Sequence, residues 1–164
     1  MLLANSIFSY SKIKQTCDRK NLSLEGLSIN SRTVTQNDVF VGLIGDKFDG
    51  NQYYQEAIGN GASLIVFDER SQVLESDLSG LGVPFITVDN CLDFLQEISK
   101  KHIQNWKNDF GGNVICITGS NGKTTTKEML SFLLQKGYKD QILFTDGNLN
   151  NHIGVPLTIL RIKS

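Results

Sequence analysis

The chain has 164 residues, 40% of them hydrophobic and 20% charged, with a formal net charge of −1 at pH 7. That length can bury a core as one domain or a small pair, and the near-neutral balance excludes a global field favouring nucleic acid or anionic membrane. Cys17, Cys91 and Cys116 are an odd, widely spaced set without a C-x-x-C pair, so neither a disulfide framework nor a zinc site fits.

The opening Met1-Leu2-Leu3-Ala4-Asn5-Ser6 lacks the basic region and long apolar core of a secretion signal. No apolar run reaches membrane-spanning length, so a cytoplasmic location without membrane insertion is expected. The basic stretch 12–20 is broken by Asp18 and reads as a solvated helix face. Ser9 is placed to cap a short helix carrying Ile13. Residues 24–29 and 39–44 read as strands separated by polar segments. Residues 52–59 follow the Asp49-Gly50-Asn51 turn and suit a helix, with Gly61 as its stop. Residues 64–67 and 85–88 read as buried strands, joined through 73–84. Over 93–106, Leu95, Ile98, His102 or Ile103, and Trp106 recur every three or four residues, a helical stripe with His102 at its edge. Asp109-Phe110-Gly111-Gly112-Asn113 breaks the pattern, and a domain boundary is placed there, dividing the chain into 1–111 and 112–164.

Past that boundary an apolar run, 114–117, enters Thr118-Gly119-Ser120-Asn121-Gly122-Lys123-Thr124-Thr125. Glycines let backbone approach an anion closely, and N–H groups at a helix start point toward negative charge. Gly119, Ser120, Asn121, Gly122 and Thr125 would therefore line a phosphate site. Lys123 would reach the outer phosphates, and the Thr124 hydroxyl would ligate Mg²⁺. The spacing G-x-x-G-K-T is two residues tighter than the Walker A pattern, which would need Gly where Ile117 stands. A helix follows over 124–136, with Met129, Leu130, Leu133 and Leu134 as its apolar face and Gly137 as its end. Residues 142–145 read as the next strand, and Pro156 suits the first turn of another helix. This is a β-loop-α-β unit, the opening of a nucleotide-binding α/β sheet. Ser164 falls before the strands that would cover both faces of its first helix.

The short T-G-S-N-G-K-T-T loop resembles that of ATP-dependent Mur ligases and folylpolyglutamate synthetases. Two further stretches sharpen the resemblance to the Mur ligase family. Ser28-Ile29-Asn30-Ser31-Arg32, with Asp38-Val39-Phe40-Val41-Gly42-Leu43 and Gly45-Asp46-Lys47-Phe48-Asp49-Gly50, is similar to the family's amino-terminal D-S-R and F-V-A-L-x-G-x-x-x-D-G signatures. Asn30 stands where Asp is more common, Gly42 where Ala is usual, and Asn51 where His is common. Gly147-Asn148-Leu149-Asn150-Asn151-His152-Ile153-Gly154-Val155-Pro156 resembles the G-N-x-N-N-x-I-G-x-P segment of members that add D-alanyl-D-alanine to UDP-N-acetylmuramoyl-tripeptide.

The resemblance implies a small amino-terminal α/β domain that binds the UDP end of the substrate, then the truncated start of a phosphate-loop ATPase domain. It implies ATP and Mg²⁺ as cofactors, an acyl-phosphate intermediate, and the muramoyl tripeptide and dipeptide as substrates. Lys123 and Thr124 take the catalytic role. Ser31, Arg32, Lys47, Asp49, Asn148, Asn150 and Asn151 take substrate contacts. His152 reads as surface, and Gly154 and Pro156 as backbone shapers. The rest of the central domain and the carboxyl-terminal domain are expected to be missing, leaving the 164 residues alone inactive. Two other readings stay open: another Mur ligase, such as the one adding the third residue, or a non-catalytic nucleotide-binding module.

Overall fold

A computed structural model describes residues 2–15, 22–73, 78, 80–147 and 149–163. Cys17, residues 16–20 of the basic stretch and Asn148 lie outside the described residues. In chain order the elements are α1 (Leu2–Phe8), β1 (Ile13–Gln15), β2 (Gly26–Ser28), β3 (Asp38–Val41), the hairpin β4 (Ile44–Gly45) and β5 (Phe48–Asp49), and α2 (Tyr54–Gly59). Then come β6 (Ala62–Asp68), β7 (Phe85–Val88), α3 (Cys91–Phe110), α4 (Lys123–Tyr138) and α5 (Gly154–Leu160).

The main sheet has the order β1-β7-β6-β3-β2, parallel throughout except for β1, which runs antiparallel to β7 at one edge. Val39, Phe40 and Val41 lie opposite Leu64, Ile65 and Val66. Side chains alternate across a strand, so this register sorts them onto two faces. Val39, Val41, Leu64, Val66, Ile86 and Val88 join Leu3, Ile7, Phe94, Leu95, Ile98 and Leu160 in one core. Phe40, Ile65 and Phe67 join Tyr54 and Ala57 of α2 in the other. Both faces are covered, which is why these strands read as unbroken apolar runs.

Helix α3 begins at Cys91, earlier than its stripe suggests, because Asn90 caps it. The Asn90 side-chain oxygen accepts the N–H groups of Leu92 and Asp93 at 2.8 and 3.3 Å, a cap that stabilises by about 1 kcal/mol. Phe94, Leu95 and Ile98 are fully buried, each contributing about 1.5–3 kcal/mol by removal from water. Gly111, at φ 65°, closes the helix in the left-handed conformation that glycine adopts without strain. Gly112 must also be glycine, since a Cβ there would lie 1.8 Å from the Trp106 ring.

Several expectations are corrected. The first helix precedes Ser9: Leu3, Ser6 and Ile7 share its buried face, and the Ser9 hydroxyl donates to the Ser6 carbonyl at its end. Ile13 belongs to β1. His102 is not at the edge of its stripe but 1% exposed, with Nδ1 3.3 Å from the Ser6 hydroxyl and Nε2 2.9 Å from the Ile162 carbonyl. Residues 114–117 and 142–145 form no ladder among the described residues. An apolar run becomes a strand only when a neighbour supplies backbone partners, and among the described residues none does so here. Helix α4 runs through Gly137 to Tyr138, since an interior glycine costs only about 1 kcal/mol. Its expected apolar face is split. Leu130 and Leu134 are half-buried, whereas Met129 and Leu133 are 65% and 63% exposed. No helix among the described residues is long and apolar enough to cross a membrane.

Candidate functional site

The glycine loop leads directly into α4. Gly122 caps the helix at φ 79°, and Gly119 sits at φ 147°. A Cβ at Gly122 would meet nothing within 4 Å, so torsion rather than crowding asks for glycine there. The first helical hydrogen bond runs from the Thr126 N–H to the Gly122 carbonyl at 2.9 Å. Among the described residues, the amides of residues 120–125 have no carbonyl partner outside the helix. They sit where a helix leaves its first N–H groups unsatisfied and carries partial positive charge.

Lys123 is the first residue of the helix, and its Nζ donates to the Gly119 carbonyl at 2.5 Å, folding the ammonium back over the loop. Thr124 and Thr125 are exposed. Among the described residues no hydrogen bond engages the Thr124 hydroxyl, and no three His, Cys, Asp or Glu side chains converge to hold a metal. The loop can therefore offer an anion a ring of N–H groups and one ammonium, and a cation one free hydroxyl.

The residues predicted to contact substrate fall in three places. Lys47 and Asp49 border a shallow cleft of about 280 Å³, together with Phe48, Gln52, Arg70 and Gln72. This cleft lies past the carboxyl ends of β3 and β6, the usual ligand-binding edge of a parallel sheet. Phe48 and Tyr53 stack beside it, ring centroids 5.4 Å apart. A larger cleft at the opposite, amino-terminal edge has no charged side chain in its lining and none of the predicted residues.

Asp49 is committed to the fold. One carboxylate oxygen accepts the backbone and side-chain N–H groups of Asn51; the other accepts the Ser71 hydroxyl and the Gln72 N–H. Burial pushes its pKa up, but these hydrogen bonds outweigh burial and hold it below the usual carboxylate range. Lys47 is exposed in the hairpin turn with no ion-pair partner among the described residues. Arg70, which the sequence reading missed, forms a two-pronged pair with Asp68, both N···O distances 2.7 Å. Its position just past β6 was the available signal.

Ser31 and Arg32 do not line this cleft. The buried Ser31 hydroxyl donates to Glu56, and the Asn60 side chain donates to the Ser31 carbonyl. Arg32 is exposed, with its N–H on the Asn30 side chain and its guanidinium unpaired among the described residues.

In the asparagine segment, Asn150 is exposed. Asn151 caps α5: its side-chain oxygen accepts the N–H groups of Ile153 and Gly154 at 3.1 and 2.7 Å. Gly154 is buried so tightly that a Cβ would lie 2.6 Å from the Leu149 Cα. Pro156 falls in the first turn of α5. His152 is exposed, and its carbonyl accepts the Gln96 side chain at 3.1 Å.

A mostly parallel α/β sheet is followed here by a glycine loop at a helix start, the arrangement found in phosphate-loop α/β proteins. The Mur ligase family catalytic domain matches residues 23–103, and the Mur ligase middle domain matches residues 117–164. The chain belongs to the Mur ligase family. Among curated relatives it is similar to the UDP-N-acetylmuramoyl-tripeptide–D-alanyl-D-alanine ligase of Haemophilus influenzae, 36% identical over 87% of this chain and 29% of the relative. It is similarly close to that of Bacillus subtilis, 36% identical over 84% of this chain and 28% of the relative. Among solved structures, the MurF ligase of Thermotoga maritima in complex with ADP is 35% identical, with a TM-score of 0.64 over 88% of this chain and 31% of that one. MurF from Acinetobacter baumannii, at 24% identity and a TM-score of 0.74, covers 99% of this chain and shares its fold. The chain spans less than a third of the length of these curated relatives.

Proposed function

We propose that this chain supplies the amino-terminal and phosphate-loop part of a cytoplasmic ATP-dependent ligase that joins D-alanyl-D-alanine to UDP-N-acetylmuramoyl-tripeptide. The observation that carries the reading is the glycine loop with unengaged amides and Lys123 at the start of α4, in a chain whose relatives bear that ligase name. Residues 1–111 form the UDP-substrate unit and residues 112–164 begin the ATP unit. Backbone N–H groups of 119–125 and the Lys123 ammonium hold the phosphates and neutralise the charge that develops in phosphoryl transfer, which is mostly positioning and electrostatics. The free Thr124 hydroxyl fits Mg²⁺, which when bound draws phosphate oxygens together and offsets their charge. Arg32 and Lys47, both without partners among the described residues, are the cations that meet the UDP end; Ser31 and Asp49 shape the backbone around them. Asn150 faces substrate, and Asn151 sets the segment that carries it. The 164 residues alone are expected to bind ligands without joining them.

Thermal-shift titrations with the UDP-muramoyl tripeptide and with Mg-ATP test the reading. A ligand at about 100 times its dissociation constant adds roughly 2.7 kcal/mol, a midpoint rise of several degrees for a chain of this size. A shift with Mg-ATP and none with any UDP compound would favour a bare nucleotide-binding module instead.

A further inference from the structure

Lys127 lies one turn after Lys123 on the same face of α4. Lys123 reaches back to the glycine loop, while Lys127 reaches across to the turn before the asparagines. Its Nζ donates to the Thr145 carbonyl at 2.6 Å and to the Gly147 carbonyl at 3.5 Å, and pairs with Glu128 at 2.9 Å. The Phe144 ring lies 6.0 Å away, and the Lys127 side chain is only 15% exposed. A long cation is rarely held so closely on an otherwise open helix.

The 142–147 segment has no ladder to fix it. Its other side-chain tether, Arg161 to Asp146 at 2.5 Å, joins two groups that are more than half exposed, and such a pair contributes little. Among the described residues Lys127 is therefore the best-buried side-chain tether on the approach to Asn150 and Asn151, and it acts from the helix that begins at the glycine loop.

We propose that Lys127 is a positioning residue that couples the phosphate loop to the asparagine segment, so that occupancy of one orders the other. This rests on the phosphate-loop reading above. Phosphate drawn to the first turn of α4 sets that helix, and Lys127 carries the setting to the carbonyls of Thr145 and Gly147, three to six residues before Asn150 and Asn151. A lysine serving stability alone would hold the turn without transmitting anything to it.

The test is amide NMR on the 164-residue chain, comparing wild type with Lys127→Met and Lys127→Arg, each free and titrated with Mg-ATP. Ligand-free, backbone order parameters of residues 145–147, 149 and 150 should be near the rigid value of about 0.85 in wild type and below about 0.6 in Lys127→Met, with the sheet unchanged. Lys127→Arg, which keeps charge and donors, should restore order. On titration, amides of 119–125 should shift in both wild type and Lys127→Met, whereas those of Leu149 and Asn151 should shift in wild type and Lys127→Arg only. Unchanged order parameters in Lys127→Met overturn the proposal, as do Leu149 and Asn151 shifts that survive the substitution. Wild-type 119–125 amides that ignore Mg-ATP count against the nucleotide site itself and against coupling from it, while a loss of order in Lys127→Met would still establish the tether.

Discussion

The side-chain oxygen of Asn51 accepts the backbone N–H of Asp68 at 3.0 Å, and Asn51 is fully buried where β3 and β6 end. Its side-chain N–H donates to Asp49, so one amide joins the hairpin to the sheet. Gly42 makes room for it: a Cβ on Gly42 would lie 2.4 Å from the Asn51 oxygen. Two of the three departures from the family pattern, Gly42 and Asn51, thus touch each other. Gly42→Ala should destabilise by about 1–3 kcal/mol through overpacking, and Asn51→Ala by about 1–3 kcal/mol through the orphaned Asp68 N–H. Urea unfolding reads both. The double variant should cost less than the sum of the two, because removing Asn51 relieves the clash.

Among the described residues the Lys123 ammonium makes one hydrogen bond, to an exposed loop carbonyl, so the fold owes it little. Lys123→Met should leave the unfolding midpoint within about a degree of wild type. It should weaken Mg-ATP binding by roughly 10–100-fold, the loss of one or two charge-assisted hydrogen bonds. Isothermal titration beside a thermal melt separates the two effects. Equal affinity in the variant would remove Lys123 from the phosphate site.

Stability should fall on mild acidification because of His102. Burial holds its pKa below the ordinary 6.5, partly offset by the hydrogen bond to the Ile162 carbonyl. The unfolded chain therefore binds a proton near pH 6.5 while the folded chain does not. Stability is full above about pH 6.5 and declines as pH drops toward the folded value, by at most about 1.4 kcal/mol per pH unit. Urea midpoints taken between pH 7.5 and 5.5 should show this slope in wild type and not in His102→Gln.

A second decline belongs to Asp49 and Asp68. Burial raises both pKa values, yet hydrogen bonds hold both below the usual range. Their stabilisation is present above about pH 4 and is lost as pH falls through the folded values. Asp68→Asn should make the decline below pH 4 shallower, leaving the Asp49 share, and leave the step near pH 6 intact.

Asn151 and Asn150 should separate cleanly. Asn151→Ala removes the cap of α5 and should cost about 1 kcal/mol. Asn150→Ala should leave stability within about 0.5 kcal/mol. A matching loss in Asn150→Ala would show that its side chain also belongs to the fold.

What the residues disclosed depended on whether a feature is local or relational. Leu64 to Phe67 are four consecutive apolar residues, enough to place the centre of β6, and Leu95, Ile98 and His102 outline α3 by spacing alone. The glycine loop and the helix start after it were legible because the turns at Gly119 and Gly122 are set by their own backbone freedom, a short-range property. Residues 114–117 looked equally strand-like, but their state turns on a neighbour that periodicity does not supply. The partners of His102, from Ser6 and Ile162, are distant in sequence, as is the Asp49 link to Ser71 and Gln72. Asn151 was read for its chemistry, whereas its side-chain oxygen serves the first turn of α5, a role that its place ahead of Pro156 already signalled.

Helix α3 grips α5 by both ends, through Gln96 on the His152 carbonyl and His102 on the Ile162 carbonyl. Whatever relative swing the two halves undergo, α5 rides with the half that precedes it in the chain. The stretch between Gly112 and the asparagines, which contains the glycine loop, joins no sheet ladder among the described residues.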